Sequence, residues 1–181
     1  AEVVVEFVVK LAREDLSRRH GQPQTAPGEP IEDGFAVVAY GKMGGLELSY
    51  SSDLDMVFIY DAPGTAYTSG PKEIDNSVFF TRLGQRILHI MKTRMASGIL
   101  YEVDMRLRPS GASGLLVSSV QAFERYQEKD AWTWEHQALV RARFICGYHS
   151  LQVAFETIRA NIMQRNRDRQ QLATEVIEMR Q

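Results

Sequence analysis

Cysteine is almost missing from this 181-residue chain: Cys146 stands alone. No internal disulfide can form, a cysteine-rich zinc site is excluded, and a lone thiol fits a reducing cytosol. A surplus of one charge is missing too, since 21 Lys and Arg face 23 Asp and Glu for a formal net charge of −2. Nonspecific affinity for nucleic acid comes mainly from excess positive charge, so a generic polyanion binder is disfavoured. A nucleotide pocket needs only a few placed cations and stays open. No apolar run approaches the roughly 20 residues that span a bilayer. The opening AEVVVEFVVK is interrupted by Glu2, Glu6 and Lys10 and lacks the basic start and cleavage site of a signal peptide. Internal repeats and low-complexity tracts are absent. With 44% hydrophobic and 24% charged residues, the composition is that of an ordinary globular protein. The expectation is a soluble, cytoplasmic domain with no membrane and no nucleic-acid partner.

What is present reads as alternating helix and strand. Val4, Phe7, Val8 and Leu11 recur at helical spacing, which predicts an amphipathic helix over 3–19. QPQTAPGEP then reads as an exposed linker. Two short apolar runs, 36–40 and 54–60, predict buried strands. Between them lies the glycine-rich GKMGGLELSYSS, and residues 61–72 read as a loop. Val78, Phe79, Leu83, Ile87, Leu88 and Met91 predict a helix from Asp75 to about Thr93, capped by Asp75 or Asn76. Strands are expected at 100–107 and 115–118. Everything after Ser119 reads as helix: 119–129, 131–143, about 148–163, and a charged segment from Asp168 that stops uncapped at Gln181, as an excerpt of a longer protein would. The expected class is α/β (α+β), a small mixed sheet of about four strands with flanking helices. It divides into an N-terminal helix and linker (1–34), a core (35–118) and a C-terminal helical region (119–181).

The chemistry concentrates in SSDLDMVF. Asp53 and Asp55 are two apart, so on a strand they project from one face. Adjacent carboxylates repel unless a cation compensates them, and oxygen-only ligands suit Mg²⁺ with nucleotide phosphates. Taken alone, such a pair reads first as a solvated strand end. The turn of Gly41, Gly44 and Gly45 about ten residues earlier shifts that reading, because bare backbone amides form anion nests and Lys42 adds a charge. No Lys-Ser/Thr pair follows the glycines, so this is not the phosphate loop of nucleoside triphosphatases. A third element, LYEVDMRLRPSG, predicts Asp104, Arg106 and Arg108 on one strand face, an acid for a metal cage with two guanidinium groups for phosphates. A surface Asp–Arg pair is the plainer alternative. Trp132, Trp134, Leu139 and Val140 read as core, Glu135 and His136 as local packing, and Cys146 as packing. His20, His89 and His149 are isolated, and Arg141 and Arg143 fall on different faces of the expected helix.

Two stretches, GKMGGLELSYSSDLDMVFIY and YEVDMRLRPSG, resemble the nucleotidyltransferase domains of the glutamine synthetase adenylyltransferase family, in the DNA polymerase β-like superfamily. The likeness covers approximately 35–147. SGILYEVDMRLRPSGASGLLV and AWTWEHQALVRARFICG are similar to the C-terminal, adenylylating half rather than the deadenylylating one. Ser110 and the WEHQALVRAR stretch carry that distinction. The resemblance implies a polymerase β-like fold and transfer of AMP from ATP to a tyrosine of glutamine synthetase. It implies Asp53, Asp55 and Asp104 as catalytic, Mg²⁺-holding carboxylates. Gly41, Lys42, Gly44, Gly45, Ser52, Arg106 and Arg108 would then face the nucleotide, Ser52 as a hydroxyl donor. Lys42 departs from the superfamily, where a small residue is usual. Partners implied are glutamine synthetase and, in the full-length enzyme, a PII-type signalling protein. A deadenylylating phosphorolysis at the same site and a non-catalytic ATP-binding regulatory domain are the alternatives.

Overall fold

The computed structural model describes residues 1–31, 34–94, 98, 101–165, 173–175 and 177. The expected segment from Asp168 and the start of the expected strand at Leu100 lie outside these residues. Among the described residues no helix is long and apolar enough to cross a membrane.

The chain opens with helix α1 (Glu2–His20). Its buried stripe is Val5, Val8 and Ala12, while Phe7 and Leu11 point outward. The helix was legible and its face was not, because valines stand on every side of the first two turns. The expected linker holds a small antiparallel hairpin of β1 (Gln24–Ala26) and β2 (Glu29–Pro30). Next come β3 (Phe35–Ala39), the single helical turn α2 (Gly41–Gly44) and β4 (Leu54–Tyr60). Helix α3 (Asn76–Lys92) follows after Asp75, and then the short β5 (Val103–Asp104). β6 (Val117–Ser119) leads directly into α4 (Val120–Lys129), where the Ser119 hydroxyl accepts from the Ala122 N–H as N-cap. Helix α5 (Thr133–Leu139), strand β7 (Arg143–Gly147) and helix α6 (His149–Met163) complete the order.

The mixed sheet has five strands where about four were expected. β3 lies at its centre, antiparallel to both β4 and β7. The other edge of β4 is shared in parallel by β5, opposite Leu54 and Asp55, and by β6, opposite Phe58 to Tyr60. Side chains alternate across the sheet. Phe35, Val37, Ala39, Met56 and Phe58 pack under α1 and α3, with Val5, Val8, Phe79, Phe80, Leu83 and Ile87. Ala36, Val38, Tyr40, Val57 and Ile59 pack on the opposite face under α4, α5 and α6, with Phe123, Leu139, Leu151 and Phe155. All five residues of β3 are buried, which explains a continuous apolar run in place of alternation. The result is a sheet sandwiched between two helical layers, an α+β architecture as expected.

Three expectations need correction. The helix placed over 131–143 ends at Leu139, and Arg143–Gly147 is strand. Phe144 turns to one core and both Ile145 and Cys146 to the other, across a register shift opposite Val37 and Val38, and the strand pairs the otherwise open edge of β3. The strand expected over 100–107 is regular only at Val103–Asp104, because the Asp104 carboxylate accepts from the Arg106 N–H at 2.8 Å and turns the chain. Trp132, Trp134 and Val140 are exposed, and only Leu139 of that set is core. Glu135 and His136 are buried in local packing: Glu135 accepts from Tyr126 Oη (2.8 Å) and the Trp132 N–H (2.9 Å), and the His136 ring bonds the Gln127 carbonyl at 2.8 Å.

Candidate active site

One end of the sheet gathers the candidate residues, because β3 finishes there while β4, β5 and β7 begin. The ladder sets Asp55 on β4 directly opposite Asp104 on β5. Asp53, exposed, stands one residue before β4. Asp55 is partly buried, and its carboxyl is pushed above the ordinary carboxylate range. Burial is the largest cause, the negative charges of Asp104 and then Asp53 add to it, and Arg106 and Lys42 oppose it. The Asp104 carboxyl is held below the usual range, chiefly by Arg106, whose Nε lies 2.7 Å and Nη2 2.5 Å from Oδ2. Arg106 is raised in turn by Asp104. Its side chain remains 79% exposed, against 14% for Asp104.

This is a cluster of negative charge in which Arg106 bonds Asp104 directly, while Lys42 and Lys92 act on Asp55 and Asp104 through their charge alone. Among the described residues no three His, Cys, Asp or Glu side chains form a ready metal cage. The donors are carboxylate oxygens, as a hard divalent ion requires, and Asp55 carries the uncompensated charge that such an ion would neutralise. The carboxylate donors of Asp53, Asp55 and Asp104 fit a hard ion such as Mg²⁺ in chemistry, and Asp104 would have to release Arg106 to take part in holding one.

The glycine turn divides its labour. A Cβ built on Gly41 would overlap Asp55 Oδ2, and Gly41 also holds a φ of +52°. Only glycine allows the turn to lie against that carboxylate. Gly44 is buried against the Arg141 carbonyl, where a Cβ would again overlap, so its smallness serves the seating of β7. Gly45 faces the Arg141 guanidinium at ordinary contact distance. Lys42 is exposed and its charge favours ionised Asp55. Ser52 is buried, and its hydroxyl accepts from the Ser49 N–H at 3.1 Å and shares a 2.7 Å bond with Ser49 Oγ. That hydroxyl belongs to the turn. Arg108 does not share a face with Asp104 and Arg106: the chain turns after Asp104, and the guanidinium donates to the carbonyls of Met105 (2.7 Å), Ala112 (3.1 Å) and Gly114 (3.4 Å).

Sequence reasoning named Arg141 and Arg143 but set them on different faces of a helix, whereas both hold the turn in place. Arg143 Nε donates to the Gly44 carbonyl at 3.1 Å and Nη2 to the Met43 carbonyl at 3.2 Å, while Nη2 also meets Glu2 Oε1 at 2.6 Å. Arg141 pairs with Glu47, in the loop between the turn and Asp53. The helical reading hid this: Arg141 lies in the turn just before β7 and Arg143 is the first residue of that strand.

Acids on neighbouring strands, pressed against a glycine turn at one end of a helix-covered mixed sheet, define the class as nucleotidyltransferase-like. The model of the glutamate-ammonia ligase adenylyltransferase family matches residues 1–158, and the chain belongs to that family. It is 56% identical over 180 residues to a bifunctional glutamine synthetase adenylyltransferase/adenylyl-removing enzyme of Pseudomonas aeruginosa, covering 99% of this chain and 18% of that one. To the enzyme of the same name from Vibrio parahaemolyticus it is 57% identical over 181 residues, covering 100% and 19%. The counterpart in Hahella chejuensis is 54% identical over 181 residues. The chain thus spans about a fifth of the length of the relatives it matches.

Proposed function

We propose that this chain transfers AMP from ATP to a tyrosine hydroxyl of glutamine synthetase, releasing pyrophosphate, with Mg²⁺ held by Asp53, Asp55 and Asp104. The observation that carries the reading is Asp55, half-buried with two more carboxylates acting on it and, among the described residues, only Arg106 and Lys42 in opposition. Bound there, Mg²⁺ would neutralise the triphosphate and lower the pKa of the acceptor hydroxyl. The chain's own groups do the positioning that phosphoryl-type transfer chiefly needs. Gly41 leaves room for the Asp55 carboxylate beside the turn. Arg106, mostly in solvent, leaves Asp104 for the triphosphate and frees that carboxylate to take the acceptor's proton. The tyrosine oxygen bonds to the α-phosphorus, the bond from it to the bridging α,β-oxygen breaks, and the electron pair departs with pyrophosphate.

The relatives' name also includes adenylyl removal, so phosphorolysis of AMP-modified glutamine synthetase to ADP is the second reading. A PII-type signalling protein as regulator belongs to the full-length enzyme. The test gives the full chain α-labelled ATP, Mg²⁺ and glutamine synthetase, and, separately, AMP-modified glutamine synthetase with phosphate. Label on tyrosine, lost in Asp53→Asn and Asp55→Asn proteins of unchanged circular dichroism, is expected. ADP release without label transfer selects the removing half. Normal AMP incorporation by the folded double variant would remove the assignment.

A further inference from the structure

Both oxygens of the Asp104 carboxylate are in use, and one residue uses them. Oδ1 accepts from the Arg106 backbone N–H at 2.8 Å, while Oδ2 meets Arg106 Nε at 2.7 Å and Nη2 at 2.5 Å. The two partners differ in freedom. Asp104 is mostly covered and fixed on the ladder opposite Asp55, whereas the Arg106 side chain lies mostly in solvent. Among the described residues that side chain bonds nothing but Asp104. Its neighbour Arg108 is the opposite case, with all three guanidinium nitrogens spent on loop carbonyls. The Arg106 charge also acts on Asp53 and Asp55, so one mobile arginine supplies positive charge to all three acids. The three acids do not stand as a ready metal cage among the described residues, and the one on β5 is committed to a guanidinium.

We infer that Arg106 is a latch on the third carboxylate, a built-in cation that resists a divalent ion arriving alone and yields when a triphosphate offers the guanidinium other oxygens. The exchange follows from the charges. An ion that enters alone must break a charge-assisted bond and settle beside a group of its own sign. A triphosphate gives the guanidinium oxygens that its fork matches bidentately, and the two cations then stop competing for one carboxylate. Nucleotide and metal are thereby coupled through a residue of the protein, each held more tightly once the other is in place. The free side chain of Arg106 permits this movement, and the tethered one of Arg108 does not. This inference rests on the reading of the cluster as a site for Mg²⁺ and ATP, and adds an order of binding to it.

The test follows Mn²⁺ binding to the full chain without nucleotide, by electron paramagnetic resonance. Wild type is compared with Arg106→Ala, Lys92→Ala, Asp104→Asn and the Asp104→Asn, Arg106→Ala double variant, each checked for unchanged circular dichroism. The Arg106 backbone N–H that makes the turn survives substitution of its side chain. Arg106→Ala is expected to bind Mn²⁺ about three- to tenfold more tightly than wild type, the worth of a part-exposed, bidentate ion pair. It is expected to bind α,β-methylene-ATP in chelator several-fold more weakly, so the two affinities move in opposite directions. Lys92 is exposed and acts on Asp104 through its charge alone. Lys92→Ala therefore removes a charge without opening a bond, and a gain below about twofold is expected. In the Asp104→Asn protein the loss of Arg106 is expected to gain no more than that, because the latch has no acid to hold. Mn²⁺ binding unchanged or weaker in Arg106→Ala overturns the inference, as does a full gain that persists in Asp104→Asn. AMP transfer by the wild type separates the two readings. Transfer, with Mn²⁺ affinity unaltered in Arg106→Ala, removes the latch and keeps the adenylylation. Tighter Mn²⁺ binding by Arg106→Ala, in a chain that transfers no AMP, does the reverse. No Mn²⁺ binding by either protein and no transfer overturns both.

Discussion

Replacing Arg108 by lysine separates two roles that the motif DMRLR alone cannot. As a phosphate clamp, Arg108 would set affinity for ATP. Here each of its three guanidinium nitrogens donates to a carbonyl, of Met105, Ala112 or Gly114, so it closes the loop that follows Asp104. The part-buried bond to Met105 is worth about 1.5 to 3 kcal/mol as a charge-assisted bond, and the exposed one to Ala112 about 0.5. The 3.4 Å bond to Gly114 adds little. Lysine keeps the charge and loses the fork, so Arg108→Ala should cost about 2 to 3 kcal/mol and Arg108→Lys roughly half of that. At about 2 to 4 °C per kcal/mol for a domain of this size, the alanine variant should melt about 5 to 10 °C lower. A loop that no longer fixes Asp104 misplaces it, and a displacement near 1 Å costs on the order of 100-fold in rate. The expected outcome in steady-state transfer is therefore kcat down by about 10- to 100-fold with KM for ATP within about threefold. A tenfold rise in KM for ATP at unchanged kcat and unchanged melting temperature would refute the reasoning and return Arg108 to the nucleotide.

Asp55→Asn should abolish transfer and stabilise the metal-free protein at neutral pH. The raised carboxyl of Asp55 means the folded chain binds its proton more tightly than the unfolded chain, so its ionisation subtracts stability as pH rises through the raised value. The variant's advantage should be present at pH 7 and gone below about pH 4, the unfolded value. Urea unfolding in chelator at both pH values checks it, and a variant less stable than wild type at pH 7 sinks the argument. Gly84→Ala, in the middle of α3, should destabilise despite a helix-propensity gain of about 1 kcal/mol. The new Cβ would sit 2.6 Å from Val117 Cγ2 and 3.2 Å from Phe58 Cδ2, and overpacking costs about 1 to 3 kcal/mol. A higher urea midpoint for the variant would show that the contact between α3 and the sheet yields easily.

The layers were legible where a residue's periodicity and its neighbours agreed. Met56 to Tyr60 is apolar throughout because both faces of β4 are covered there, and α3 shows an unbroken stripe because only one of its faces is. Asp53, Asp55 and Asp104 could be proposed together because carboxylates set side by side repel unless a cation compensates them, and the ladder does set Asp55 opposite Asp104. Arg106 and Arg108 could not be told apart from their spacing. That distinction arises from a turn which the Asp104 side chain itself makes by accepting the Arg106 N–H, a local bond that competes with continuing the strand. Trp132 and Trp134 misled for a related reason. Large aromatics favour cores on average, but α5 is only seven residues long, and its inward positions are taken by Glu135, His136 and Leu139.

The least legible part of the site is the one that fixes the glycine turn in space, and the cause is the mistaken helix over 131–143. Once Arg143–Gly147 is a strand beside β3, Arg143 necessarily leaves the sheet at the end where β3 gives way to Gly41. Its guanidinium then meets the carbonyls of Met43 and Gly44 at the C-terminal end of that single helical turn. Glu2, from the far end of the sequence, balances the charge and has its own carboxyl lowered, chiefly by that bond. With Glu2 45% and Arg143 31% exposed, the ion pair itself contributes little stability. Its consequence is positional: the turn beside Asp55 is tied to α1 and β7 as well as to β3. No motif window that starts at Gly41 and ends at Asp55 contains either residue, so the support of the site is a property of the fold while its chemistry is a property of the sequence.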